Sequence, residues 1–253
     1  MQLAGKGVLI AGARRVGAVV AHRLAAEGMR TALTYRNSAA EAQALAAELA
    51  PVTGPVPVLQ ADLVDEASVV ALVAAAQQEL GGLYAVVNLA SDYHGDALEA
   101  LDAAAWDRSM AAAKASYLLA LHAGRALAAN PGPTRGHLIL FSDWAARDTP
   151  YRGYVPYLTA KASIEFMTRA FAAELAPHGI LVNAIAPGPT MRPPDITPES
   201  WQNDVLAHTP LGRESSPEDI AEMIAALLKT ESVTGEVIRV DAGRHIAGPG
   251  WPN

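Results

Sequence analysis

The sequence predicts an α/β fold in which seven strands form one doubly wound parallel sheet with helices on both faces. Three observations point there. Short apolar runs bounded by Gly, Pro or Asp alternate with longer Ala- and Leu-rich stretches of helical period, the alternation that builds parallel crossovers. The short runs are rich in Val, Ile and Leu with little polar alternation, as strands buried on both faces must be. At 253 residues, 51% of them hydrophobic, the chain can bury one large core, so a single domain over 1–253 is expected.

The strands are expected at Gly7–Ala11, Arg30–Tyr35, Val56–Gln60, Ala85–Leu89, His137–Ser142, Leu181–Ala186 and Glu236–Val240, with helices near 15–28, 38–50, 65–80, 102–129, 155–177 and 217–229. Each strand runs into a segment that interrupts it: Gly12 after the first, YRNS (35–38) at the second, Asp62 after the third, NLAS (88–91) at the fourth, Asp143 after the fifth, APGP (186–189) at the sixth and DAG (241–243) after the seventh. Ligands of such sheets bind at the carboxyl ends of the strands, which makes these segments the candidate site. PGPTRG (131–136) reads as a short turn. The proline-rich stretch 187–217 has weak periodicity and is expected to be a functional substrate loop over 188–217. The tail GPGWPN is irregular, with Trp251 packing either on a neighbouring subunit or on its own core.

Composition narrows the function classes. A formal charge of −7 leaves no electrostatic footprint for nucleic acid or an anionic membrane. The opening apolar stretch is interrupted by Gly12, Arg14 and Arg15, and no later run approaches a membrane span. With no cysteine, disulfides and thiol nucleophiles are excluded, and the seven histidines lack metal-ligand spacing. His22, His122 and His178 read as packed or solvated. A cytoplasmic protein acting on a small molecule, without a metal, is the expectation.

Glycines at a strand-to-helix turn, as in AGARRVG (11–17), let backbone N–H groups and the helix N-terminus approach a pyrophosphate, which makes Gly12, Arg14, Arg15, Val16 and Gly17 candidate cofactor residues. The second strand ends without the acid that a ribose hydroxyl would attract. Arg36 and Ser38, flanked by Tyr35 and Asn37 and joined by Arg14 or Arg15, suit a ribose 2′-phosphate and hence NADPH, although a solvated arginine on a surface turn is the bland alternative. Asp62, followed by Leu63, lies at the same edge or caps the next helix. Tyr157 and Lys161, four apart, share one helix face, and a cation near a phenol favours phenolate, so the lysine is expected to lower the tyrosine pKa toward an acid/base range.

In this order the elements resemble the short-chain dehydrogenases/reductases along essentially the whole chain: the glycine turn at 11–17, Asp62-Leu63, Asn88-Leu89-Ala90-Ser91, Tyr157-Leu-Thr-Ala-Lys161, Pro187-Gly188 and TGEVIRVDAG (234–243). The resemblance implies a Rossmann-type fold, a homotetramer (or dimer) and NAD(P)(H)-dependent oxidoreduction. It makes Tyr157 the proton donor, places Lys161 on the nicotinamide ribose and Pro187-Gly188 beside the nicotinamide, and adds Asn88, Ala90, Ser91 and Thr190 as cofactor contacts. Small residues along 111–129 and 162–176 favour subunit packing through those two helices or ordinary packing within the domain.

The departures are equally informative. Counting back from Gly17, Ala11 and Arg15 occupy the first two of the family's three glycine places, or a residue has been deleted; Leu89 replaces the family's second asparagine, and Ala112 or Ala113 stands where a proton-relay asparagine belongs. Asp143 lies where the family carries a serine that donates to a carbonyl, in a segment about one residue longer than usual. An ionised carboxylate only accepts hydrogen bonds, so Asp143 favours a substrate presenting N–H groups or stores a proton for Tyr157. The pteridine reductases, a branch of the family, are similar in this aspartate, and ARRVG, YRNSAAEA (35–42) and NLASDY (88–93) also resemble that branch. Catalytic residues would then be Asp143, Tyr157 and Lys161, with Ser91, Tyr93, Asp143 and Tyr157 at the substrate and Tyr93 either stacking on it or packing in its loop. Three readings stand: NADPH-dependent reduction of a C=N bond in a pteridine-like heterocycle; reduction of a 3-oxoacyl or sugar-like ketone with Asp143 turned away and Ser142 reaching the oxygen; and an NADPH sensor without turnover.

Overall fold

The computed structural model describes residues 2–193 and 196–247. One sheet carries β1 (Gly7–Ala11), β2 (Arg30–Tyr35), β3 (Val58–Gln60), β4 (Ala85–Asn88), β5 (Gly136–Phe141), β6 (Ile180–Pro187) and β7 (Val237–Val240). All pairs are parallel and the spatial order is β3-β2-β1-β4-β5-β6-β7. The chain therefore winds outward from β1, returns, and restarts at β4, which leaves a crevice between the carboxyl ends of β1 and β4.

The helices are α1 (Val16–Ala26), α2 (Ala39–Thr53), α3 (Glu66–Glu79), α4 (Ala103–Leu127), α5 (Val155–Leu175), the one-turn α6 (Pro198–Ser200) and α7 (Pro217–Lys229). Two apolar layers sandwich the sheet. Leu9, Val86, Leu138 and Leu140 face α3, α4 and α5; Val8, Ile10, Ala85, Val87, Ile139 and Phe141 face α1, α2 and α7. That is the two-residue alternation of a strand with both faces buried.

Observed elements match the expected ones within a few residues at each end, and two differences have clear causes. β3 starts at Val58 rather than Val56, since Pro57 has no N–H to give a ladder, although its carbonyl accepts from Leu33 N–H at 2.8 Å. α2 continues past Pro51 to Thr53 and stops at Gly54 with φ 78°; a proline in the last turn forfeits only one helical bond. The 187–217 stretch is more ordered than its periodicity implied: α6 runs on into a wide helical turn at Trp201–Val205 and a tight one at Leu206–His208, with Trp201 buried. Trp251 lies outside the described residues. Among those described, no helix is long and apolar enough to cross a membrane, and no group of acidic or histidine side chains is arranged to hold a metal ion.

At the opposite end of β5 from the candidate site, His137 is fully buried, with Nε2 3.1 Å from the Tyr84 hydroxyl. Burial, reinforced by the charge of Lys6, pulls its pKa down to about 4. An unfolded histidine titrates near 6.5, so between these values the unfolded chain binds the extra proton. His137 thus leaves stability intact above pH 6.5 and erodes it as pH falls toward 4, by on the order of 2–3 kcal/mol. Urea midpoints at pH 7 and pH 4.5 should show a fall that is smaller in His137→Gln.

Candidate active site

Three strand ends are fastened together before any side chain is placed. Ser142 N–H donates to Ile185 O at 2.8 Å, Trp144 N–H to Pro187 O at 3.1 Å and Gly188 N–H to Val240 O at 2.9 Å. Against this edge lies the first part of α5, whose Tyr157 and Lys161 are one turn apart on the buried face. The Tyr157 hydroxyl donates to Asp143 Oδ2 at 3.0 Å, that of Tyr151 reaches the same oxygen at 3.2 Å, and Oδ1 accepts from Ala145 N–H at 2.9 Å. Asp143 is 8% exposed and Lys161 3%.

Neighbouring residues at the end of a strand face opposite ways, and Ser142 is accordingly turned from the site. Its hydroxyl lies 3.1 Å from Lys161 O and 3.2 Å from Glu165 Oε1, while the other Glu165 oxygen accepts from Arg147 Nε at 3.1 Å. The alternative in which Ser142 reaches a substrate oxygen is not met by this orientation. Glu165 is thereby held under the end of the strand.

The electrostatics also differ from the sequence reading. Burial pushes the Asp143 carboxyl up, opposed by the Ala145 N–H, by Lys161 and by the two phenols. Tyr157 is raised well above the ordinary phenol range by burial and by the Asp143 charge, so Lys161 does not bring it toward phenolate here. The ammonium instead donates to Phe141 O at 3.0 Å and sits 5.7 Å from the centre of the Tyr157 ring. Burial lowers Lys161 to about 8, with Asp143 opposing. This constellation retains a proton on Tyr157 at neutral pH and suits an acid better than a base.

An aromatic wall surrounds the carboxyl. Tyr93, in the β4–α4 connection, stacks on Tyr154 at 4.7 Å between ring centres and meets Tyr157 edge-on at 5.1 Å. Tyr151 packs edge-on against Tyr154 at 4.9 Å and stacks on Trp144 at 5.9 Å, whose ring Arg244 approaches to 4.9 Å. Asp96 N–H donates to Gly153 O at 2.7 Å, which binds the two loops that carry these rings. Tyr93 is 55% exposed, so a large part of its ring stays uncovered by Tyr154 and Tyr157. Sequence reasoning missed Tyr151, Tyr154 and Trp144; the aromatic density of YRGYVPY (151–157) was the available signal.

The other half of the crevice fits a dinucleotide. Gly12 has φ 85° and a Cβ there would fall 2.7 Å from Ala90 N; one at Gly17 would fall 2.0 Å from Gly12 O. The turn stays tight despite its missing glycine because Arg15 itself takes φ 51°. α1 begins at Val16 with no acid in its first turn and no side-chain cap, its Gly17 and Ala18 N–H groups donating to Arg14 O and Arg15 O at 2.9 and 3.1 Å; Ser38 likewise gives the start of α2 no side-chain cap, with Glu41 in its first turn. Arg36 and Asn37 are exposed beside Ser38 and Tyr35 is half-buried. Arg14 approaches Glu41 at 3.9 Å.

Other candidates are engaged within the protein. Arg15 donates to Met191 O at 2.9 Å, tying the first turn to the 188–217 loop rather than pointing to the end of β2. Asp62 accepts from Val64 N–H while Asp65 caps α3, so the capping alternative for Asp62 fails; Leu63 packs on the core. Asn88 is buried between Ser116 Oγ at 3.1 Å and Ala90 N–H at 3.2 Å, and Ser116 bonds back to Ala112 O at 2.9 Å. Ser91 is exposed near Asp92 O, and Thr190 is buried on Gly188 O at 2.9 Å. A Cβ on Gly188 would collide with Asp241 Cα at 2.6 Å, keeping Pro187-Gly188 close to β7.

A family model described as Enoyl-(Acyl carrier protein) reductase matches residues 10–245. The chain is 32% identical over 252 residues to the short-chain reductase protein NovJ of Streptomyces niveus, covering 93% of this chain and 92% of the relative. It is 32% identical over 269 residues to pteridine reductase 1 of Leishmania tarentolae, covering 91% and 93%. Among solved structures, FolM alternative dihydrofolate reductase 1 from Brucella canis, complexed with NADP, is similar with a TM-score of 0.87 and 31% identity over 100% of both chains.

The floor of the site yields a test. Arg147 is half exposed and Glu165 is buried. Removing Arg147 strands a buried carboxylate, whereas removing Glu165 lets Arg147 reach water and leaves Ser142 its bond to Lys161 O. Urea denaturation should show Arg147→Ala losing about 3 kcal/mol and Glu165→Ala about 1 kcal/mol, the reverse of the order their exposure suggests.

Proposed function

The chain belongs to the short-chain dehydrogenase/reductase family of oxidoreductases, and from that premise we propose that it is an NADPH-dependent reductase of a C=N bond in a pteridine-like heterocycle. The observation that carries this reading is the buried Asp143 carboxyl 3.0 Å from the Tyr157 hydroxyl. A carbonyl substrate needs a donor at this place; a carboxylate offers only acceptors, and a carboxylic acid offers a proton. The ketone reading loses its alternative donor because Ser142 faces Glu165 and Lys161 O.

A nicotinamide cofactor held by the glycine turn at 11–17 and by Pro187-Gly188 would supply a hydride to the ring carbon. Tyr157 gives its proton to the ring nitrogen, and Asp143, which burial pushes toward its protonated form, gives its own to the Tyr157 oxygen. The C=N bond becomes CH–NH, and Asp143 ends as a carboxylate facing a neutral phenol, the arrangement of lowest charge repulsion at 3.0 Å. Transfer from Tyr157 alone would leave a buried phenolate in a site where burial disfavours that charge. This route also bypasses the relay asparagine replaced at Ala112 or Ala113. Lys161, fixed on Phe141 O, partly offsets the negative charge that Asp143 acquires. Tyr93 offers its exposed face to a flat ring, with Ser91 beside it.

NADPH rather than NADH is supported by Arg36, Asn37 and the uncapped Ser38 at the end of β2 and by the NADP bound to the Brucella relative. Assembly into a homotetramer (or dimer) is supported by the exposed rings of Trp106, Tyr117 and Phe166 on α4 and α5, apolar surface of the kind that subunit contacts cover.

NADPH oxidation measured across dihydropterins, quinones and ketones should be fastest with a dihydropterin. Asp143→Asn should lose about 100-fold or more in kcat/KM; full dihydropterin activity in Asp143→Ser together with new ketone activity would refute the role given to Asp143. Tight NADPH binding with no turnover on any substrate would favour a sensor. In a separate comparison, Arg36→Ala should reduce the preference for NADPH over NADH roughly tenfold, and an unchanged ratio would remove Arg36 from the phosphate site.

A further inference from the structure

Asp143 Oδ2 has two phenol donors, of which the proposed reaction uses only one. Tyr157 Oη lies 3.0 Å away and Tyr151 Oη 3.2 Å away. During the reduction Tyr157 must turn its hydrogen toward the substrate, and the carboxyl must pass its own proton back to Tyr157. At that moment Oδ2 gains negative charge, and the hydrogen Tyr157 presents to it is the one just received from the carboxyl. Tyr151 is the phenol donor to Oδ2 that takes no part in the transfer.

We propose that Tyr151 is a positioning residue for the reduction: its hydroxyl holds Asp143 Oδ2 beside Tyr157 and governs how readily Asp143 releases its proton. This rests on the Asp143–Tyr157 relay proposed above. Tyr151 is held in a fixed place to do so, stacked on Trp144 at 5.9 Å and edge-on to Tyr154 at 4.9 Å, with the loop secured by the bond from Asp96 N–H to Gly153 O. Toward Asp143 it donates, and its hydroxyl also meets that of Tyr93. Burial and the neighbouring Asp143 keep its own phenol protonated far above neutral pH.

The groups around Asp143 fix the sign of the effect. Tyr157 and Lys161 face it from α5, Tyr151 from the preceding loop and Ala145 N–H from its own turn; burial raises the carboxyl and these four oppose the rise. Tyr93 and Tyr154 complete the wall as neutral phenols at 5.1 and 6.0 Å from the Tyr157 ring, and Arg244 comes from beyond β7 onto the Trp144 ring. Removing the Tyr151 hydroxyl therefore makes Asp143 a weaker acid. The relay requires protonated Asp143, so activity declines as pH rises through its titration, and loss of the hydroxyl moves that decline upward.

Tyr151→Phe keeps every ring contact and deletes only the hydroxyl. Carboxyl carbon NMR of protein labelled at aspartate, with Asp143 identified by its loss in Asp143→Asn, reads the titration without cofactor or substrate. The midpoint should rise by about half a pH unit or more in Tyr151→Phe. The descending limb of kcat/KM for a dihydropterin should move with it, and the effect of Tyr151→Phe on rate should vanish in the Asp143→Asn background. An unchanged NMR midpoint overturns the proposal, as does an unmoved descending limb in an enzyme whose midpoint has shifted. A shifted midpoint in a protein that reduces no dihydropterin sustains the Tyr151–Asp143 coupling and sinks the assigned reaction instead.

Discussion

Removing the Asp143 carboxyl from water is the constraint on which the rest of the site depends. A buried carboxyl must be protonated or surrounded by donors, and its donors come from three places: its own turn at Ala145, the loop at Tyr151 and the first turn of α5 at Tyr157. Each must be fixed to a few tenths of an ångström for those bonds to persist. The bonds among the ends of β5, β6 and β7 supply that rigidity, and the two apolar layers clamp the sheet from which those ends project.

Charge is arranged on both sides of the end of β5. On the crevice side, Asp143 faces phenols, with Lys161 bonded to the strand's last carbonyl. On the other side, Glu165 receives Ser142 and Arg147. The strand end is thus held by polar contacts above and below where the apolar layers thin out. A comparable exchange occurs at the first turn. Arg15 takes a positive φ in one of the places where the family usually has glycine, a sparsely populated conformation that costs about 1–3 kcal/mol, and its side chain is bonded to Met191 O in the proline-rich loop.

The fold was legible because its signals were local and repeated: apolar runs with punctuation predict strands, and every strand was found. Tyr157 and Lys161 were legible as a pair because four-residue spacing fixes a shared helix face. That spacing does not say where a long side chain ends, and the Lys161 ammonium goes to Phe141 O. Ser142 and Asp143 could not be assigned faces in advance, since a strand buried on both sides has no polar alternation to reveal its parity. Tyr151 and Tyr154 sit outside the regular part of α5, where spacing carries no geometric meaning. The short turns at 198–208 follow Thr197 and Pro198, a capping signal too brief to register as periodicity.

Ser142 and Asp143 also show how little separates two chemistries on one scaffold. Their side chains lie on opposite faces of the same strand end, so whether a hydroxyl or a carboxyl meets the substrate is decided by parity. Sliding the strand by one residue exchanges every side chain between faces. Gain or loss of a single codon ahead of this pair would trade carboxyl for hydroxyl with no change in residue type. On such a strand, the group that faces the crevice is inherited as a count before it is inherited as a composition.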